Sequence, residues 1–316
     1  MRLLAPAKLN LSLRVGRPRA DGFHPLRTWM VSIALFDTID IEKTRSPRLV
    51  LFSDHPAAPA DSANLVVRAA AALQAEAEFA GHGRRWGMTA HLSKVIPVGA
   101  GLGGGSSDAA RTLLGLNRLW DLHWPCDRLA GVAASVGSDV PFFLSLPSAW
   151  CEGRGERVRA VRAPRPRWAL VMLPDFGVST ALAYRRFDER GDGTDLDALN
   201  EDPTRWMTFD AANLMAALVN DLEAAAFDIR PELAALRLEC ERLLGRPVRM
   251  SGSGSSLFTL FDEQSEARTA GRRLDGVVRW LAAELAPQIE DDLRPLHVLG
   301  LADGKNAKAD NVGPAR

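Results

Sequence analysis

The sequence predicts an α+β chain folded as two domains. Three observations carry this. Apolar patterns of period 2 and period 3.6 are mixed irregularly, without the strict alternation of a doubly wound sheet. A Pro- and Arg-rich stretch, residues 157–167, separates two such mixed halves. The 316 residues are long enough to bury two cores of average size. The division assigns residues 1–160 to a first domain and 161–300 to a second. Residues 301–316 are small and polar and are expected to form a disordered tail.

Taken in order, Leu9, Leu11, Leu13 and Val15 alternate with Asn10, Ser12 and Arg14, the pattern of a half-buried strand. Residues 29–36 and 38–43 read as two more strands, parted by Asp37. Residues 47–61 are rich in Pro, Ala and Asp and read as a loop. Alanine-rich 63–80 reads as a helix, with Asp61 or Ser62 as a candidate cap. Residues 86–95 alternate again. Ala109, Leu113, Leu116 and Trp120 recur at helical spacing, and Pro125 opens a further helix to about 136. Residues 142–146 read as an apolar strand. In the second half, 168–174 is a strand and 188–204 an acidic, mobile loop. Helices are expected at 210–226, 231–244 and 263–285. Between the last two, residues 248–255 run from a short strand into a glycine turn.

Composition narrows the function. Lys+Arg and Asp+Glu are both 39, so the formal net charge is zero. That argues against a dedicated nucleic-acid binder and against an acidic disordered chain. Cys126, Cys151 and Cys240 are few, odd in number and widely spaced. They read as reduced thiols rather than a disulfide framework or zinc site. The apolar runs are strand-sized and the N-terminus is broken by Lys8, Asn10 and Arg14. A cytoplasmic protein is expected. Only five of the 39 basic residues are lysines, at positions 8, 43, 94, 305 and 308, so a lysine in the body of the chain carries information.

The strongest local signal is GAGLGGGSSDAA, residues 99–110, set between a strand and a helix. Glycines let the backbone approach a ligand and adopt positive φ. The helix behind them offers unpaired N–H groups and the positive end of its dipole. Together these suit a phosphate. No Gly-Lys-Ser/Thr follows, so this is not a Walker A loop. The GxGxxG match at Gly99, Gly101 and Gly104 lacks the following strand that a dinucleotide fold needs. Asp175-Phe176-Gly177 stands without any HRD triplet and does not make a protein kinase.

Three separated segments then agree: PAKLNL at 6–11, the glycine loop, and SGSGS at 251–255. In this combination the chain resembles the GHMP kinase superfamily of small-molecule kinases. PAKLNLSLRV, RADGFH at 19–24 and GSDVPFF at 137–143 narrow the resemblance to the branch acting on a cytidyl diphosphate of methylerythritol. It covers roughly residues 2–300. It implies an N-terminal domain like domain 2 of ribosomal protein S5 and a ferredoxin-like C-terminal domain, with ATP and substrate meeting between them. It implies ATP with Mg²⁺ as cofactors and γ-phosphoryl transfer to the substrate 2-hydroxyl.

The resemblance assigns catalysis to Lys8 and Asp139. A compact ammonium suits a point-charge role at the phosphate, and the carboxylate would take or orient the hydroxyl proton. Nucleotide positions are Asn64, Lys94, Pro97, Gly99, Gly101, Gly103, Gly104, Gly105, Ser106 and Ser107. Ser107 is also a candidate ligand for Mg²⁺. Substrate positions are Asn10, Phe23, His24, Thr180, Tyr184, Gly252 and Gly254. Phe23 and Tyr184 would stack on the cytosine, although Phe23 stands where relatives often carry Tyr and Met30 where an aromatic is frequent. Taken as residues alone, Asn64 reads equally as a helix cap, Lys94 as a strand end, and the two aromatics as core. A kinase for mevalonate, homoserine or a sugar is the alternative within the superfamily. A nucleotide-binding module without catalysis is the alternative outside it.

Overall fold

The computed structural model describes residues 1–82, 86–199 and 203–293. Its first half is one mixed sheet backed by helices. β1 (Arg2–Val15) runs antiparallel along β2 (Leu26–Thr44), from Arg2 opposite Asp40 to Val15 opposite Leu26. The expected break at Asp37 does not occur. β2 is continuous, and Asp37 is fully buried within it because two backbone amides and an ammonium meet its carboxylate. β3 (Leu49–Ser53) lies inside the stretch expected to be a loop, where it pairs parallel to β4 (Gly87–Ser93).

α1 (Leu65–Phe79), α2 (Gly104–Leu119) and α3 (Cys126–Val136) follow the periodicity of the sequence. Residues 142–146 are not a strand: Pro141–Leu144 forms a buried 3₁₀ turn, closed by bonds such as Phe143 N to Val140 O at 3.1 Å. A short apolar run does not distinguish the two by pattern. β5 (Ser148–Gly153) and β6 (Arg157–Ala160) complete the sheet, whose order is β3-β4-β2-β5-β6 with β1 also on β2.

The second half opens with β7 (Trp168–Leu173) and α4 (Thr180–Arg190), which Gly191 ends at φ 71°. Part of the expected acidic loop is therefore helix, and Thr194 bridges to Gly16; residues 200–202 lie outside the described residues. After α5 (Pro203–Trp206), the expected helix 210–226 divides into α6 (Ala211–Ala217) and α7 (Glu223–Ile229). The chain between them leaves helical form to bond β1, with Leu13 N on Val219 O and Asp221 N on Leu13 O. α8 (Pro231–Leu244), β8 (Arg249–Met250) and β9 (Leu257–Phe261) come next. The expected helix 263–285 is instead α9 (Gln264–Gly271), a turn through Gly276 at φ 79°, and β10 (Arg279–Glu284).

The second sheet runs β10-β7-β9-β8, the first strand central and the last at an edge, as in a ferredoxin-like fold. The two sheets share an apolar layer. Leu9, Trp29 and Ile33 meet Val171, Phe258 and Leu260 there. Beyond β10 the chain returns to the first half. Asp291 accepts from Leu4 N at 2.9 Å and from the buried Arg111 guanidinium of α2. The expected tail lies outside the described residues. Among the described residues no helix is long and apolar enough to cross a membrane.

Candidate active site

A cleft of about 560 Å³ opens where β1, the glycine loop and the 251–255 turn converge. Lys8 enters from β1. Its backbone N–H donates to Leu102 O at 2.9 Å, which ties the strand to the loop. Its ammonium donates to Gly101 O at 3.0 Å and to Asn10 Oδ1, and lies 3.5 Å from Asp139 Oδ2. The Lys8 side chain is nearly all buried and that of Asp139 about one-third exposed. The carboxylate thus faces open cleft while the ammonium is held from behind.

Two glycine contacts explain the loop's composition. Gly101 has φ 77°, and a Cβ there would stand 2.3 Å from Ser251 O and 2.9 Å from Gly254 O. Gly103, at φ 70°, precedes α2, and a Cβ there would press on Lys8 and Phe143 at 3.0 Å. The loop is therefore backbone packed on backbone, leaving the amides at the head of α2 uncapped by any side chain. Ser251 fastens the opposite wall: its hydroxyl donates to Gly101 O at 3.1 Å and accepts from Asn10 N at 3.1 Å.

Of the expected nucleotide positions, Asn64, Lys94, Pro97, Gly99, Gly101, Gly103, Gly104, Gly105 and Ser106 line the cleft. Asn64 also caps α1, accepting from Val66 N at 2.9 Å and donating to Pro59 O at 2.7 Å. Both ends of its amide are thereby engaged by the protein. Ser107 does not reach the cleft. It is fully buried and its hydroxyl has no partner. Lys94 is no solvated strand end. Its ammonium lies between the buried carboxylates of Asp37 and Asp108, 2.7 Å from Asp108 Oδ2. Burial opposes its charge, but the two carboxylates outweigh that and raise its pKa. Burial pushes the Asp108 carboxyl up to about 7, and the neighbouring Asp37 charge adds to the rise.

Comparison with known proteins decides the family. The model of GHMP kinases N terminal domain matches residues 64–145, and that of GHMP kinases C terminal matches 204–278. A 4-diphosphocytidyl-2-C-methyl-D-erythritol kinase from Bacillus velezensis is 37% identical over 279 residues, 87% of this chain and 94% of that protein. The chain belongs to the GHMP kinase family. The Bacillus subtilis and Shewanella sp. MR-4 enzymes of the same name are 36% and 37% identical over 87% and 89% of this GHMP kinase. A crystal structure of 4-(cytidine 5'-diphospho)-2C-methyl-D-erythritol kinase superposes with a TM-score of 0.73 at 36% identity, over 91% of this chain and all of that one. A homoserine kinase from Cytophaga hutchinsonii shares the fold, with TM-score 0.66 at 17% identity over 92% of this chain and 95% of that one. It is an ATP-dependent small-molecule kinase by family and fold.

The remaining expected residues of this GHMP kinase divide into two groups. Asn10, Thr180, Tyr184 and Gly252 line the cleft with Lys8 and Asp139. Thr180 Oγ1 shares a hydrogen bond with Ser253 Oγ at 2.8 Å, which joins the head of α4 to the glycine turn. Burial pushes the Tyr184 hydroxyl up to about 12, with the Asp139 charge a second cause. Phe23, His24 and Gly254 do not line it. Phe23 is about half exposed, with the Arg154 guanidinium 3.5 Å above its ring. His24 is buried: Nδ1 meets Gly16 O at 2.8 Å and Nε2 meets Asp188 Oδ1 at 3.1 Å. Its ring lies 5.3 Å from that of Tyr184, so His24 adjoins the cleft through the tyrosine. Gly254, at φ 90°, packs on Met250 and Val178 behind the turn. Sequence reasoning missed Thr28, Asp37, Asp108 and Ser251 as parts of the site. Asp37 gave a signal as an acid in an apolar run, and Asp108 and Ser251 stand inside the GAGLGGGSSDAA and SGSGS motifs, whereas Thr28 gave none.

Proposed function

We propose that this kinase transfers the γ-phosphoryl group of ATP to the 2-hydroxyl of 4-diphosphocytidyl-2-C-methyl-D-erythritol. The products are ADP and the 2-phosphate, within non-mevalonate isoprenoid precursor synthesis. The observation that carries the reading is the Lys8–Asp139 pair, 3.5 Å apart and facing the glycine loop in one cleft. Relatives of that name at 36–37% identity, spanning nearly nine-tenths of the chain, support the substrate.

The residues supply the following chemistry. Uncapped amides of the loop and the head of α2 take the phosphates, with the helix dipole favouring their charge. The substrate hydroxyl lies against Asp139, which accepts its proton as the new O–P bond forms and the bridging oxygen leaves with ADP. Lys8 places a fixed positive charge beside the transferring group. A loose transition state needs no strong base at this position. Tyr184, with the His24 ring 5.3 Å from its own, receives the cytosine. Stacking of this kind contributes about 1–3 kcal/mol per base.

The donor set suits Mg²⁺. Asp108 Oδ1 is buried without a partner in the first turns of α2, and the Ser106 hydroxyl lines the cleft, both hard oxygens. Among the described residues no three His, Cys, Asp or Glu side chains converge on a metal position, so phosphate oxygens and water would complete the shell. When bound, the ion offsets charge on the β- and γ-phosphate oxygens.

An ADP-release assay with the cytidyl substrate beside mevalonate and homoserine tests the reading. Turnover with the cytidyl compound alone is expected. Turnover with only one of the others would overturn it.

A further inference from the structure

The Lys8 ammonium has a socket of three acceptors: Gly101 O, Asp139 Oδ2 and Asn10 Oδ1. The first is fixed by the backbone and the second faces the cleft. The third depends on which way the Asn10 amide is turned, since an amide presents an acceptor on one side and donors on the other. Nothing in Asn10 itself chooses between the two.

Thr28 does. It sits on β2 opposite Leu13 and is fully buried. Its hydroxyl stands 2.7 Å from Ser12 O and 2.9 Å from Asn10 Nδ2. A backbone carbonyl only accepts, so the single Thr28 proton goes to Ser12. Toward Asn10 the hydroxyl is then an acceptor, and it must meet the NH₂ side. The opposite side of the amide, Oδ1, is left facing the ammonium. A turned amide would set donors against the ammonium and strand a carboxamide oxygen against a hydroxyl already committed. An unpaired buried polar group is costly, so the chain of bonds admits one direction.

We infer that Thr28 is a positioning residue of this kinase, whose hydroxyl fixes the Asn10 amide and so holds the Lys8 ammonium toward Asp139. Thr28 touches neither reacting atom in this role. It acts through Asn10, and it does so from a strand position whose side chain would otherwise pass for core. The kinetic arm of the test rests on the phosphoryl-transfer reading above; the spectroscopic arm does not.

The test compares Thr28→Val, which keeps the shape and removes the hydroxyl, with Thr28→Ser, which keeps the hydroxyl. In the full chain, Thr28→Val is expected to lower kcat by about 10-fold, the effect of one buried hydrogen bond, while KM for ATP stays within about two-fold. Thr28→Ser should stay close to the parent. The Asn10 side-chain NH₂ signal, followed by NMR, should exchange with solvent at least about 10-fold faster in Thr28→Val and be unchanged in Thr28→Ser. If Thr28→Val does not fold, Thr28→Cys, which is near serine in size but a weaker hydrogen-bonding group, is read against Thr28→Ser in the same way. Unchanged kcat and unchanged NH₂ exchange in the variant lacking the hydroxyl would overturn the inference, as would equal losses in Thr28→Ser. Absence of turnover by the parent protein would overturn the substrate reading instead, and the NH₂ exchange would then decide the role of Thr28.

Discussion

Asp139 and Lys8 divide the work by exposure. The ammonium is enclosed by the protein's own acceptors, while the carboxylate keeps a face toward the cleft. On the proposed mechanism, removing the charge at Asp139 removes both the proton acceptor and the partner that orients the hydroxyl. Asp139→Asn should lower kcat by at least about 100-fold with only a modest change in KM, within the usual range for acid–base groups. Steady-state kinetics checks this, and near-normal turnover would sink the assignment. Gly101 is as tightly constrained. A methyl group there meets two backbone carbonyls and a left-handed φ. Gly101→Ala should cost about 1–3 kcal/mol of stability and weaken ATP binding, because the loop can relax only by parting from the 251–255 turn. Urea denaturation and ATP titration read the two effects.

Among the elements, α2 organises the site, and the Lys94 cluster ties it to the first sheet. Asp37 from β2 accepts Val95 N at 2.6 Å and Ile96 N at 2.8 Å, while Lys94 spans from Asp37 to Asp108 on α2. Lys94→Met would leave two buried carboxylates without their cation. A loss of about 3–5 kcal/mol is expected, measured by denaturant unfolding. By contrast Asn64→Ala, at the cap of α1, should cost only about 1 kcal/mol. The sequence made α1, α2, α3 and the glycine loop legible, because their apolar spacing and glycines are local properties. It did not reveal that 142–146 is a turn or that 263–285 is helix, turn and strand. There the deciding contacts are tertiary: Gly271 lies flat against Trp280, where a Cβ would stand 2.4 Å from the ring. Similarly, 218–222 gives up helix to bond β1, which no periodicity could announce. The glycine loop and the Lys8 and Asp139 segments could be read directly from motifs. Thr28 could not, because its proposed role arises only from what the fold sets beside it, and the pairing of Asp108 with Lys94 likewise comes from the fold.

At the scale of the whole molecule, the two halves are joined by an apolar layer between sheets and by the returning segment at Asp291. The latter is an ionic join at low exposure, with 8% of the Arg111 side chain and 2% of that of Asp291 accessible. Asp291→Ala strands the guanidinium inside the first half. A loss of about 3–5 kcal/mol is expected, seen as a lowered midpoint in urea, and an unchanged midpoint would show the join to be idle.

That join also sets an order of events. Arg111 and Asp291 are 180 residues apart, so a growing chain carries the cation of α2 long before its counter-ion has been made. Domains generally fold as units from the N-terminus during synthesis. Here the first half cannot bury that face of its central helix on its own terms. Arg111 must stay hydrated until Asp291 has been made, so α2 takes its final seat only after the strands of the second half have emerged.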